Sequence, residues 1–346
     1  MNKKISIIIP FYFPEKNIYK SKKIFALLSF HKCLSAILKS KYKNFEVIAV
    51  SDGSNKKSIE IVRKFPYRLI KIKKNSGAGY ARNIGSKVSK GKILVFLDSD
   101  VKIKTNTLST INNFFNKNKN HDILQGIYSN KINYKSYTNQ YLQSYYYYYL
   151  FGEGKKKITT TLVTNLIAIK NTIFRSLKGF DTKFSGASSE DQELGFRLIM
   201  KGYTIYIEPK LNVTHLVNFG IIDFIKKIIK IQTDEMKMHL RNKKTLIIKS
   251  TNANYFSIII GLILITLMIC AIFANLFFTI IYFSKIILIL NLIFIVIYLK
   301  FYKFIFFSQG FLATIRTIFY TYLHRFIVVV AAIFGLFDFY ICRNKY

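Results

Sequence analysis

Between Lys249 and Lys285 the chain carries no charged residue, and Phe256–Phe273 within that stretch is nearly all apolar. Such a run is long enough to cross a bilayer. It confines the chain to folds that join a membrane region to something else. From Tyr255 onward there are seven bases (Lys285, Lys300, Lys303, Arg316, Arg325, Arg343, Lys345) and one acid, Asp338. The rest of the charge lies in front, in a chain with 53 Lys and Arg, 17 Asp and Glu and a net charge of +36. A basic chain points to nucleic acid, anionic lipid or phosphorylated substrates as partners. Cys33, Cys270 and Cys342 lie far apart, with no metal or redox spacing and no disulfide framework. Met1-Asn2-Lys3-Lys4 leads straight into Ile5–Pro10, which is too short for a signal peptide and reads as a first strand.

The front alternates strands and helices. Ile5–Ile9, Phe45–Val50, Arg68–Ile72 and Ile93–Leu97 read as strands. Between them, Leu27, Leu28, Cys33, Leu34, Ile37 and Leu38 share a helical face, and Tyr80–Ser89 reads as a helix. The alternation predicts an α/β domain: a mostly parallel sheet with helices on both faces. Two strand ends carry acids, Ser51-Asp52-Gly53-Ser54 and Asp98-Ser99-Asp100. Ligands of open α/β sheets bind at the carboxyl ends of strands, and paired carboxylates there can hold a divalent cation against a diphosphate.

Beyond Asp100 the pattern is less regular. Ile123–Ile127 reads as a strand, and Gln140–Phe151, with Tyr141 and Tyr145 to Tyr149, as a tyrosine-rich helix. Ser188-Ser189 before Glu190-Asp191-Gln192-Glu193 is an N-cap pattern opening a helix to about Lys201. Ile221–Leu240 is a basic amphipathic helix of the kind that lies on an anionic membrane face. The expected organisation is an α/β unit over 1–220, the amphipathic helix and linker over 221–250, and a membrane region over 251–346. Two crossings are expected, at Phe256–Phe277 and Ile286–Phe307, the second with Lys300 and Lys303 snorkelling. Ile305–Tyr322 and Phe326–Phe337 contain or abut Arg316, Arg325 and Asp338, so Ile305–Tyr340 is expected to return to the cytoplasmic face as interfacial or re-entrant helices.

From Lys4 to His215 the chain resembles the family 2 glycosyltransferases of GT-A fold, in their membrane-anchored subset. Ile7-Ile8-Ile9-Pro10 is similar to the first strand, Val50-Ser51-Asp52-Gly53-Ser54 to the nucleotide-binding turn, and Asn75–Gly85 to the Asn-x-Gly…Ala-Arg-Asn-x-Gly helix start. Phe96-Leu97-Asp98-Ser99-Asp100 matches the Asp-x-Asp metal motif, and Gly179-Phe180-Asp181 with Glu190–Arg197 resembles the acceptor-side segment. Five motifs occur in family order. Two departures stand out. Ser51 replaces the first acid of the nucleotide turn, and the chain has no tryptophan, so the Gln-x-x-Arg-Trp motif of processive members is absent.

The resemblance implies a membrane-anchored, metal-dependent, inverting enzyme with its catalytic domain in the cytoplasm. It places Pro10, Asp52, Ser54, Arg82 and Asp98 at a nucleotide-sugar donor, with a UDP-sugar as the expected one. Asp98, Asp100 and His215 are the candidate ligands for Mg²⁺ or Mn²⁺. Asp191 is the candidate general base and Glu190 its partner. Arg82 has two readings, a cationic contact to the diphosphate or a structural pair with a strand-end acid. The expected acceptor is a polyprenyl phosphate or another lipid-linked group held beside membrane lipids. The alternatives are an enzyme acting on a surface glycan with the tail only as anchor, and an inactive binding subunit. Nucleic-acid binding would explain the charge but neither the ordered acids nor the spans, so nucleic acid is not an expected partner.

Overall fold

The computed structural model describes residues 4–15, 20–129, 136–150, 152, 158–184, 189–242, 253–278 and 281–343. Ser188, Phe151, residues 243–250 of the expected linker, and Lys345 lie outside them. The chain divides into two units. One is Met1–Asn133 with Tyr145–Asn218, and the other is Tyr134–Ser144 with Phe219–Tyr346.

In the first unit, β1 (Ile5–Phe11), β2 (Phe45–Asp52), β3 (Arg68–Ile72) and β4 (Ile93–Leu97) alternate with α1 (Lys20–Leu38), α2 (Lys56–Arg63) and α3 (Ala78–Lys87). The chain continues through β5 (Val101–Lys102), α4 (Thr107–Lys117), β6 (Ile123–Tyr128), a π-helical turn (Tyr146–Leu150), β7 (Ile158–Thr159), β8 (Leu166–Lys170), α6 (Asn171–Ser176), α7 (Glu190–Met200) and β9 (Ile205–His215). Among the described residues the strands form one sheet in the order β3-β2-β1-β4-β8-β6-β9-β5, with β7 on β9. The β3-β2-β1-β4 half is parallel, as the alternation predicts. The other half is mixed, because β8 enters antiparallel between β4 and β6.

β1 and β4 are apolar at nearly every position because both faces are covered. Ile7 and Ile9 join the core on one side, and Ile8 joins Ile48, Val50 and Phe96 on the other. The register aligns the functional ends. Ile8 pairs with both Ile48 and Phe96, so Pro10, two residues on, lies level with Val50 and close to Asp98. Helix α3 lies hard against this rim at Gly85, where a Cβ would stand 2.5 Å from Ile8 Cγ2.

The second unit holds α5 (Tyr137–Tyr145) up to Ser144, α8 (Ile221–Arg241), α9 (Ala253–Phe278), α10 (Ile281–Gln309) and α11 (Phe311–Tyr340). The sequence reading split the last region into two short segments. The structure has one continuous helix instead, begun after Gly310 at φ 89°. Arg316 and Arg325 do not interrupt it, because a charged side chain leaves the backbone hydrogen bonds intact. Three helical stretches, Ile258–Asn275, Phe283–Gln309 and Phe311–Tyr340, are long and apolar enough to cross a membrane.

Candidate active site

The site is built on the carboxyl ends of β1, β2 and β4. The turn after β2 packs on the loop before α3. Gly53 has φ 74°, and a Cβ there would meet Asn75 N at 2.7 Å. Asp52 is buried, and its two carboxylate oxygens accept from Ser76 N and Gly77 N, each at 2.8 Å. Burial raises its proton affinity and the two amides oppose that rise. The Ser54 hydroxyl donates to Phe11 O at 3.0 Å and accepts from Phe13 N at 3.1 Å. Asp52 and Ser54 therefore brace the turn through bonds inside the fold, and Pro10 lies buried in β1.

Helix α3 supplies two adjacent residues with separate tasks. Asn83 pins the Gly179-Phe180 loop from both sides, donating to Phe180 O at 2.8 Å and accepting from Phe180 N at 2.9 Å. Gly179, at φ 73°, leaves no room for a Cβ against Asn83 Oδ1. Arg82 is buried at the centre of the site. It donates to Asp98 Oδ1 at 2.7 Å, to Glu190 Oε1 at 2.8 Å and to Thr164 Oγ1 at 2.9 Å. Its guanidinium also stands 5.4 Å from the centre of the Phe180 ring. Burial works against its charge, and Asp98, Glu190 and Asp191 outweigh it, so Arg82 is held above its usual value. Both terminal nitrogens are committed to these partners.

Asp191 lies in the first turn of α7. Its Oδ2 accepts from Thr164 N at 3.1 Å and Thr164 Oγ1 at 3.3 Å, and its Oδ1 from Gln192 N at 2.8 Å. Its proton affinity is pushed up to about 7, first by burial and then by the charge of Glu190, against the pull of Arg82 and the two amides. Ser189 holds the N-cap position without a side-chain cap bond.

Asp100 and His215 meet by strand pairing. β5 pairs with β9 so that Val101 faces His215, Leu216 N donates to Asp100 O at 2.7 Å, and His215 Nε2 stands 3.4 Å from Asp100 Oδ2. The imidazole stacks on Tyr128 at 4.8 Å. Among the described residues no three His, Cys, Asp or Glu side chains converge as a metal cage. The structure thus gathers Arg82, Asp98, Glu190 and Asp191 into one cluster and Asp100 with His215 into a pair beside it. The sequence reading missed Thr164, which joins Arg82 to Asp191. No periodicity or motif singles out a threonine just before a strand.

A family model described as Glycosyl transferase family 2 matches residues 6–177, and one described as Glycosyl transferase family group 2 matches residues 93–341. Glycosyltransferase GlyG of Streptococcus pneumoniae is 31% identical over 135 residues, which are 38% of this chain and 40% of that protein. The poly(ribitol-phosphate) beta-N-acetylglucosaminyltransferase TarP of Staphylococcus aureus is 30% identical over 133 residues, 36% of this chain and 37% of that protein. The matched part of the chain spans less than half the length of either relative. In structure, the mannosyltransferase PcManGT of Pyrobaculum calidifontis, solved with GDP-Man and Mn2+, superposes with a TM-score of 0.59 at 13% identity, over 98% of this chain and 88% of that one. That likeness is one of fold. With a strand-end Asp-x-Asp, an Arg-Asn pair on α3 and a Glu-Asp pair on α7 held in one GT-A domain, the chain belongs to the family 2 glycosyltransferases.

Proposed function

We propose that the enzyme moves one sugar, or a few, from a nucleotide-sugar donor to a membrane-associated acceptor, with inversion at the anomeric carbon. The observation that carries this is the Arg82 cluster, which ties the donor-side acid Asp98 to the acceptor-side pair Glu190 and Asp191. An acceptor hydroxyl attacks the anomeric carbon while the bond to the diphosphate breaks. Asp191 takes the hydroxyl proton, a task that suits a base whose proton affinity is matched to the working pH. Thr164 and the Gln192 amide fix its carboxylate, and Arg82 holds Glu190 and Asp98 in place on either side. A single base and direct displacement give inversion.

Asp98, Asp100 and His215 suit a hard divalent cation, Mg²⁺ or Mn²⁺. Two carboxylates one residue apart and an imidazole are donors of the kind such an ion takes, and these three residues would hold it. Asp98 lies above the usual carboxylate range, mainly through burial and against Arg82, and the charge of Asp100 adds to this. When bound, the cation offsets charge on the leaving diphosphate. Asp52 and Ser54 contribute by fixing the shape of the turn that faces the donor.

A UDP-sugar is the expected donor and a polyprenyl phosphate the expected acceptor, since the apolar helices would hold the enzyme at the bilayer with its catalytic domain in the cytoplasm. TarP, whose name specifies a poly(ribitol-phosphate) acceptor, favours a second reading in which the acceptor is a surface glycan and the tail an anchor. The test is transfer by the purified full chain from several nucleotide sugars, with Mg²⁺ or Mn²⁺, to a polyprenyl phosphate or a polyol-phosphate chain. Asp100→Ala and chelation should each remove metal-dependent donor binding and transfer. Donor affinity indifferent to both would end the metal assignment.

The raised proton affinity of Asp191 fixes a pH dependence. Only the ionised carboxylate accepts a proton, and the ionised fraction falls as pH drops through about 7. The kcat should therefore rise with pH across that region and level off above it. A kcat that is flat from pH 5 to pH 9, roughly the range in which such a base titrates, would show that another group is the base.

A further inference from the structure

Helix α11 is long and apolar enough to cross a bilayer. Its packing argues for another placement. We propose that α8 and α11, with α5 along their flank, form a raft that lies flat in the interface of an anionic bilayer, and that α11 does not cross.

The first observation is the pairing of α8 with α11. Phe224 packs on His324 at 5.5 Å between ring centres, the Thr233 hydroxyl donates to Ala331 O at 3.2 Å, and Lys237 reaches Asp338 at 3.4 Å. The sequence offset between partners is 98 at Thr233–Ala331 and 101 at Lys237–Asp338. A nearly constant offset means two parallel helices side by side, here for about 20 Å at 1.5 Å per residue. Gly335 permits the approach, since a Cβ there would stand 2.8 Å from Met236 Cβ and 3.0 Å from Thr233 O.

The second observation is what α8 carries. Lys226 and Lys230 are exposed, Lys237 lies buried between Asp234 and Asp338, and Glu235 pairs with His239. If α11 crossed the bilayer, its neighbour would take these charges through the hydrocarbon with it, which bilayers strongly disfavour. Along the first half of α11, α5 supplies polar partners. Arg316 stands 3.5 Å from the centre of the Tyr137 ring, Thr138 bonds Tyr320 at 2.7 Å, and Tyr141 bonds His324 at 3.0 Å.

The third observation is how α10 meets α11. In an antiparallel hairpin, partners on the second helix step backward as the first advances. Here Asn291 and Phe294 meet Tyr322, Tyr298 meets Arg325 and Tyr302 meets Thr321. These contacts gather on one short stretch of α11, Thr321 to Arg325, instead of spreading backward along it as a hairpin's would. The outer side of α11 is one apolar stripe, with Leu312, Phe319, Phe326, Ile333 and Phe337 exposed, and Ile222 of α8 is exposed as well. Such a stripe suits acyl chains, with Lys226 and Lys230 at the head groups of anionic lipids.

Two measurements on the full chain in phosphatidylcholine–phosphatidylglycerol vesicles test this. Cys270 and Cys342 are changed to Ser and the buried Cys33 is left in place. Nitroxides are then attached one at a time through Leu312→Cys, Phe319→Cys, Phe326→Cys and Ile333→Cys, and immersion depth is read by power saturation. A raft gives equal, shallow depths at all four positions. A depth maximum near the middle of the helix, with shallow ends, would overturn the proposal. In the second measurement Cys342 is retained and compared with Lys92→Cys of the first unit, using a membrane-impermeant maleimide before and after permeabilisation. Both sites should be reached from the same side, and opposite sides would equally refute it.

Discussion

Replacing Asp191 by Asn should lower transfer by about 10²–10⁴-fold, the usual worth of a positioned general base, while nucleotide binding stays nearly intact. Asn has the same shape and keeps an oxygen for the Thr164 amide and hydroxyl, but its amide nitrogen then faces the Gln192 N–H that Oδ1 had accepted, so one hydrogen bond at the start of α7 is lost. Asn cannot take the acceptor proton. It also removes the repulsion that Glu190 exerts on Asp191, which offsets the lost bond, so thermal stability should change little. This separates loss of chemistry from loss of fold. Transfer and donor affinity are measured on the same preparation. Near-full turnover would exclude Asp191 as the base, and lost donor binding would move it to the donor side.

The second large effect is on stability. Arg82→Met keeps most of the aliphatic stem and removes the charge that Asp98 and Glu190 share. Glu190 is 3% exposed and its ion pair with Arg82 is equally buried. Removing one partner of a buried pair costs about 3–5 kcal/mol, since the other charge is left uncompensated. For a domain of this size that corresponds to a fall in Tm on the order of 10 °C. The double variant Arg82→Met, Glu190→Gln should recover part of the loss, because the stranded charge is gone. An unchanged Tm in Arg82→Met would mean that the cluster is not what holds α3 to α7. Arg82→Lys should fall between, since one ammonium cannot serve both carboxylates with the planar fork of a guanidinium.

The parallel half of the sheet was legible because its strands are covered on both faces and so read as unbroken apolar runs, as in Ile5–Ile9 and Ile93–Leu97. β9 was not, because Glu208, Pro209 and Lys210 interrupt its apolar pattern and its register with β6 shifts after Gln125. At the site, spacing marked the acids but not the contact of Arg82 with Glu190, which spans 108 residues of sequence. Along the tail, Arg316 and Arg325 drew attention as breaks, while the residue that ends α10 is Gly310, whose positive φ an ordinary side chain resists. Nothing in the tyrosine run announced that Tyr137 and Tyr141 pack on a helix near the carboxyl terminus. Aromatic residues declare burial but not their partner.

That last pairing bears on how the protein is made. Synthesis runs from the amino terminus, so α5 leaves the ribosome long before α11 exists to cover it. Tyr141 waits 183 residues for His324, and Thr138 waits 182 for Tyr320. Until then its aromatic face is uncovered, the sort of surface that chaperones bind and that aggregates when they do not. A chain cut after Asn218 to yield a soluble catalytic domain keeps α5 and loses His324, Tyr320 and Phe224, on which Tyr141 packs. Such a truncation should be sticky unless Tyr137 and Tyr141 are also made polar.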